Sequence, residues 1–215
     1  MAGRSTQDIF EAVYARRMWK MGPKAASYSS GSGSHDSAIV DPYIASVSRY
    51  VESLPFRPDA VDLGCGDFAI GSALRPQFNR FIACDIVSDV LAQNRVRYKA
   101  LDVDFRLIDI ANDDLPPGDI AFVRQVLQHL SNDQIARALE RIRTTYPKLI
   151  LTEHLPIDRN FTPNIDIETG PAIRLAIQSG VDITKPPFEI SASSSEVLCE
   201  VHLKESMIRT TLYSF

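Results

Sequence analysis

The residues able to do chemistry gather at the ends of apolar runs. Asp62 precedes the glycine turn in Ala60-Val61-Asp62-Leu63-Gly64-Cys65-Gly66-Asp67-Phe68-Ala69-Ile70-Gly71. Asp85 closes Phe81-Ile82-Ala83-Cys84-Asp85-Ile86, and Asp109 lies in Ile108-Asp109-Ile110. Gly64 and Gly66 can take backbone angles closed to other residues and put no side chain between main chain and ligand. Helix amides that follow such a turn can hold a polar or anionic group. The plain structural alternative is a tight turn with two permissive glycines. Against it stands Asp85, about 20 residues on, the spacing at which an acid meets ribose hydroxyls. A carboxylate offers acceptors only, which suits two hydroxyl donors. The three acids therefore point to a cofactor bearing adenosine.

The charge at the turn discriminates between cofactors. Gly64-x-Gly66-x-x-Ala69 passes as a dinucleotide fingerprint, so an NAD-dependent oxidoreductase is one reading. Asp62 and Asp67, however, would repel a pyrophosphate and attract an ammonium group. S-adenosylmethionine carries an ammonium and a sulfonium and no phosphate, so the acidic turn favours it. Methyl transfer is an in-line displacement that needs alignment and, for a hydroxyl acceptor, a base. His129, Glu153 and His154 follow the fourth and fifth apolar runs and are the candidates, and a histidine titrates in the useful range. His129 reads equally as a packing histidine, and Glu153-His154 as a solvated strand end. Arg124 and Gln125 are placed to touch cofactor or substrate. No Cys or His pair has metal-ligand spacing.

These residues must be held by a sheet. Strands are expected at 60–63, 81–86, 104–110, 119–123 and 148–152, alternating with helices at 69–74, 87–97 and 132–143, the last capped by Ser131. That rhythm predicts an α/β, doubly wound, Rossmann-like and mostly parallel sheet, with ligands outside its carboxyl ends. Ile9, Phe10, Val13 and Tyr14 mark an amphipathic helix over 6–21, with Trp19 packing near its end. Asp41-Pro42 opens a second helix. Residues 197–204 and 207–213 alternate as an antiparallel edge hairpin. A single domain over 1–215 is expected: 1–40 the N-terminal helix and a Ser/Gly segment, 41–152 the cofactor-binding core, 153–190 a proline-rich substrate-side insertion with a helix near 171–179, and 191–215 the hairpin. The Ser/Gly segment, with Ser32 and Gly33, reads either as a flexible linker or as a lid over the ligand.

Composition narrows the partners. The chain has 215 residues, 45% of them hydrophobic, and a formal charge of −4. That charge argues against nucleic acid, which requires clustered Lys and Arg. No apolar run approaches a membrane span, and no signal peptide is visible. The 3 cysteines, far apart, indicate free thiols in a reducing compartment. A cytoplasmic enzyme acting on a small molecule is expected, and a homodimer is compatible with the sequence.

With those residues in view, the chain resembles the class I S-adenosylmethionine-dependent methyltransferases over roughly 40–155. Val61-Asp62-Leu63-Gly64-Cys65-Gly66 is similar to their first motif, Cys84-Asp85-Ile86 to the ribose acid, and Ile108-Asp109-Ile110 to the adenine contact. Asp119 to Leu130 is similar to their fourth strand and turn. Phe68 departs from the family's third glycine and implies a bulkier wall by the methionine end. The Ser-Gly-Ser-Gly-Ser segment, Asp166 to Gly170 and Pro186-Pro187-Phe188 resemble small bacterial methyltransferases of glycan and other small-molecule pathways. In that likeness the Ser/Gly loop closes on the methionine moiety and the acceptor is a hydroxyl, of a sugar or another metabolite. A methyltransferase-like fold without chemistry, serving as a binding protein, is the other alternative.

Overall fold

The computed structural model describes residues 5–19, 34–158 and 160–215. Seven strands form one sheet: β1 (Ala60–Leu63), β2 (Phe81–Asp85), β3 (Asp104–Leu107), β4 (Ile120–Arg124), β5 (Lys148–Pro156), β6 (Ser194–His202) and β7 (Ser206–Ser214). Their order is β3-β2-β1-β4-β5-β7-β6. The first five pair in parallel, β7 runs antiparallel to β5, and β6 is antiparallel to β7. This is the mixed, mostly parallel sheet that the sequence rhythm predicts.

Parallel strands in such a sheet are covered on both faces, so they read as unbroken apolar runs; every residue of β2 is buried. On one face α1 (Thr6–Ala15) and α5 (Asn132–Thr145) set Phe10, Ile135 and Leu139 against Val61, Ile82 and Leu149. On the other, α2 (Ser37–Glu52) and α3 (Ala69–Leu74) set Val47, Val51 and Leu74 against Ala60, Phe81 and Ile150. The helix α4 (Ser88–Arg97) contributes Val90 to the first layer and Leu91 to the second. Ser131 caps α5 by accepting from the Gln134 amide. No helix among the described residues is long and apolar enough to cross a membrane.

Several element bounds depart from expectation. α2 starts at Ser37 because Asp36 caps it, accepting from the Ala38 amide at 3.0 Å, and Pro42 lies within the helix. β5 does not stop at Thr152: β7 pairs with it as far as Pro156, so Glu153 and His154 are strand residues opposite Arg209 and Ile208. The expected strand end lay where the apolar run stops, but an antiparallel neighbour satisfies the backbone groups of the next residues whatever their side chains. β3 ends at Leu107, which leaves Asp109 just beyond it. Instead of a helix near 171–179, the insertion holds one 3-10 turn, Arg174–Ile177, ended by Gln178 at φ 54°. α1 ends at Ala15, and Arg17 at φ 53° turns the chain towards Trp19.

Candidate functional site

The carboxyl ends of the parallel strands open onto a cavity of about 490 Å³, within the size range of small-ligand sites. At its floor is the bend after β1. Gly64 has φ +86°, and a Cβ there would sit 2.4 Å from Val126 Cγ2, so the two chain segments touch only because the side chain is missing. Gly66 has φ 52°, again in the left-handed region. The Asp85 carboxylate braces the bend: Oδ2 accepts from the Gly66 amide at 2.9 Å and Oδ1 from the Val87 amide at 3.0 Å. Asn94 from α4 donates to the Gly66 carbonyl at 2.7 Å. Phe68 follows in a left-handed conformation, φ 57°, that swings its ring into the core. There it meets Phe81, Tyr98 and Phe105 edge-on. The expected wall beside the methionine end is therefore corrected: Phe68 is fully buried and forms no part of the cavity.

Asp62, Cys65, Asp85, Ile86, Asp109, Ile110, Gln125 and the two glycines all line the cavity. Burial, reinforced by Asp85 and opposed by Arg124, raises the Asp62 carboxyl to about 7. Asp85 is also raised, chiefly by burial, while its backbone hydrogen bonds pull it down. Asp109 accepts from the Ala111 amide at 2.9 Å and from Asn112 Nδ2 at 2.7 Å. Each of these carboxylate oxygens retains acceptor capacity for a ligand hydroxyl. Gln125 holds φ 56° at the end of β4, its amide donating to the Thr152 carbonyl at 2.7 Å. Ser32 and Gly33 lie outside the described residues.

The three candidate bases separate. His129 and His154 line the cavity; Glu153 does not. Successive strand residues face opposite ways. His154 therefore points to the cavity side, where its Nε2 is 2.8 Å from Ser206 Oγ. Glu153 is buried on the other side, both carboxylate oxygens without a hydrogen-bond partner, and burial raises its carboxyl to about 8. His129 Nδ1 is 3.2 Å from the Ala172 carbonyl. A carbonyl only accepts, so the proton sits on Nδ1 and Nε2 keeps its lone pair. Burial lowers this imidazole to about 4, which keeps it neutral at physiological pH.

Sequence reasoning set Arg124 at the site and gave Trp19 a packing role, but it missed several of the contacts around them. His35 Nε2 lies 2.7 Å from Asp67 Oδ2, which ties the start of α2 to the glycine bend. Two residues 32 apart with no shared periodicity give no sequence signal for that pair. Arg124 stacks over Tyr43, 5.3 Å from its ring centre. Trp19 stacks on His129 at 4.8 Å and donates from Nε1 to the Pro171 carbonyl at 3.2 Å. Arg174, fully buried, donates to the Leu127, Leu130 and Ile165 carbonyls and to Asn132 Oδ1, which fastens the insertion to the turn after β4.

Residues 61–145 match the family model described as a methyltransferase domain. No curated protein matches the chain in sequence. Among solved structures, the N-methyltransferase NodS from Bradyrhizobium japonicum WM9, in complex with S-adenosyl-L-homocysteine, superposes at TM-score 0.67 and 12% identity, over 96% of this chain and 99% of its own. The magnesium protoporphyrin IX methyltransferase ChlM from Synechocystis PCC 6803, with bound S-adenosylmethionine, gives 0.59 and 16% over the whole of both chains. The N-terminal domain of EvdMO1, in the presence of S-adenosylhomocysteine and D-fucose, gives 0.56 and 15%, over 98% of this chain and 99% of its own. At such identities the likeness is one of fold.

Proposed function

We propose that this chain, a methyltransferase domain over residues 61–145 within the class I methyltransferase fold, moves a methyl group from S-adenosylmethionine to a hydroxyl of a small molecule. When bound, that cofactor supplies an electrophilic methyl on a sulfonium and leaves as neutral S-adenosylhomocysteine. Asp85 receives the ribose hydroxyls, Ile86, Asp109 and Ile110 border the adenine, and Asp62 faces the ammonium. Cys65 and the two glycines give the nucleoside a floor of bare main chain, and Gln125 closes the side towards the acceptor. In this reading 153–190 shapes the acceptor pocket.

The observation that carries the proposal is the state of the Gly66 amide. A dinucleotide's pyrophosphate would draw on that donor, and it is already given to Asp85 at 2.9 Å. With Asp62 and Asp67 alongside, the bend suits a phosphate-free, positively charged nucleoside. His129 serves as the base: its Nε2 lone pair takes the hydroxyl proton while the Ala172 carbonyl fixes the ring. His154 is the alternative base on the opposite wall; Glu153, outside the cavity, has no direct part.

Methyl-labelled S-adenosylmethionine incubated with a panel of hydroxyl-bearing metabolites is expected to give O-methylated product. His129→Ala lowers kcat roughly 100-fold or more and leaves S-adenosylhomocysteine affinity unchanged. The acid limb of the pH–rate profile is expected near pH 4, where the buried imidazole titrates. Label transferred only to amines, or full activity in His129→Ala, contradicts this assignment.

A further inference from the structure

The wall of the cavity beyond the glycine bend is built of rings. Trp19 is central to it, with ring centres 4.8 Å from His129, 5.3 Å from Tyr14 and 6.0 Å from Phe10. All four side chains line the cavity. The Trp19 indole N–H donates to the Pro171 carbonyl at 3.2 Å, which orients the ring. Next to it, Gln128 is 93% buried by its 7% exposure, and it too lines the cavity. Its Nε2 donates to the Gln125 carbonyl at 3.2 Å, which settles the amide orientation. Its Oε1 is buried with no hydrogen-bond partner. A buried acceptor left unpaired costs about 1–3 kcal/mol, so it calls for a donor from a ligand. That atom stands one residue from His129, whose Nε2 accepts from Gln128 Nε2 at 3.4 Å.

Charge narrows the ligand further. The described lining holds Asp36, Asp62, Asp67, Asp85 and Asp109 against the single guanidinium of Arg124, and aromatic faces are themselves electronegative. A phosphorylated or carboxylated acceptor would be repelled. A sugar would also need partners for several hydroxyls around its rim, and Phe10, Leu130 and Ile173 on this wall offer none.

We propose that the acceptor is an uncharged aromatic molecule with a phenolic hydroxyl, its ring on the Trp19 surface and its O–H given to Gln128 Oε1. This rests on the methyltransferase reading above. In the reaction the phenolic oxygen gains the methyl group and the methyl–sulfur bond breaks with its electron pair going to sulfur. As the methyl moves, the phenolic O–H exchanges its ground-state hydrogen bond with Gln128 Oε1 for one to His129 Nε2, which takes the proton, so a neutral ether and S-adenosylhomocysteine leave.

The test is calorimetry on the S-adenosylhomocysteine complex of the full chain, with p-cresol, methyl glucoside and glucose 6-phosphate as probes. p-Cresol is expected to bind and the other two are not. Trp19→Leu is expected to weaken p-cresol at least tenfold and Trp19→Phe to restore most of it, both with unchanged S-adenosylhomocysteine affinity. In turnover, Gln128→Leu is expected to raise KM for p-cresol more than it lowers kcat. Tighter binding of either sugar, no binding of p-cresol, or indifference of p-cresol to Trp19→Leu overturns the proposal and leaves the methyltransferase reading standing. Failure of S-adenosylhomocysteine itself to bind removes both.

Discussion

Asp62 shows how the burial of one carboxylate sets the terms for a ligand. Burial and the neighbouring Asp85 hold its proton up to about pH 7, with Arg124 pulling the other way. A bound ammonium favours the ionised form. Cofactor affinity should therefore increase as pH rises towards 7, by up to about tenfold per pH unit, and level off above it. Asp62→Asn should flatten the dependence. Calorimetric titration of S-adenosylhomocysteine between pH 5.5 and 8.5 reads this directly, and a flat wild-type profile would contradict the placement of the ammonium. At this scale the acids were legible in the sequence because each stands at the end of an apolar run, and spacing alone aligned them. Phe68 and Gln128 were not. A side chain's direction at a left-handed position, or the choice of which amide atom stays unpaired, depends on contacts that come from distant segments. Phe68 illustrates this: its ring is seated by Phe81 and Phe105 on two other strands, and a Cβ on Gly71 would come 2.2 Å from it.

Among the elements, β5 carries a buried carboxyl beneath the insertion. Glu153 on β5 sits under the insertion with neither oxygen hydrogen-bonded, and the Arg174 charge only partly offsets its burial. The folded state keeps its proton up to about pH 8, whereas an unfolded glutamate releases it near the ordinary 4.5. The folded state thus binds more protons in that window, so stability falls as pH rises through it. Glu153→Gln keeps the shape and removes the titration. Its melting temperature should gain on the wild type steadily from pH 5 to pH 8; a constant difference would mean that the carboxylate is ionised in the fold. The sequence reading ended the fifth strand at Thr152, where its apolar run stops, and set Glu153-His154 at that end. The antiparallel pairing with β7 carries the strand on to Pro156, and β7 lies more than fifty positions downstream, out of reach of any local pattern. The helix expected at 171–179 does not form. The backbone makes one 3-10 turn that left-handed Gln178 ends, and the Arg174 guanidinium ties that turn to four acceptors outside its own segment.

For the molecule as a whole, the strand order explains why the site is where it is. β1 lies between β2 and β4, and chain connections diverge to either side of it. That switch point leaves a crevice at the carboxyl ends, and the Gly64–Val126 contact is the seam at its base. The alternation of strands and helices made this architecture legible, and with it the position of the acids. The aromatic wall was less so, since it joins α1 to the insertion across more than a hundred residues of chain. Under the proposed function the acidic bend accepts a phosphate-free nucleoside. The most direct measurement is calorimetry of the purified protein with S-adenosylhomocysteine and NAD in parallel, on wild type and Asp85→Ala. Only S-adenosylhomocysteine is expected to bind, and the variant is expected to lose about 1–3 kcal/mol of that affinity with the ribose hydrogen bonds. Binding of NAD in its place, or an affinity untouched by Asp85→Ala, would contradict the proposed function.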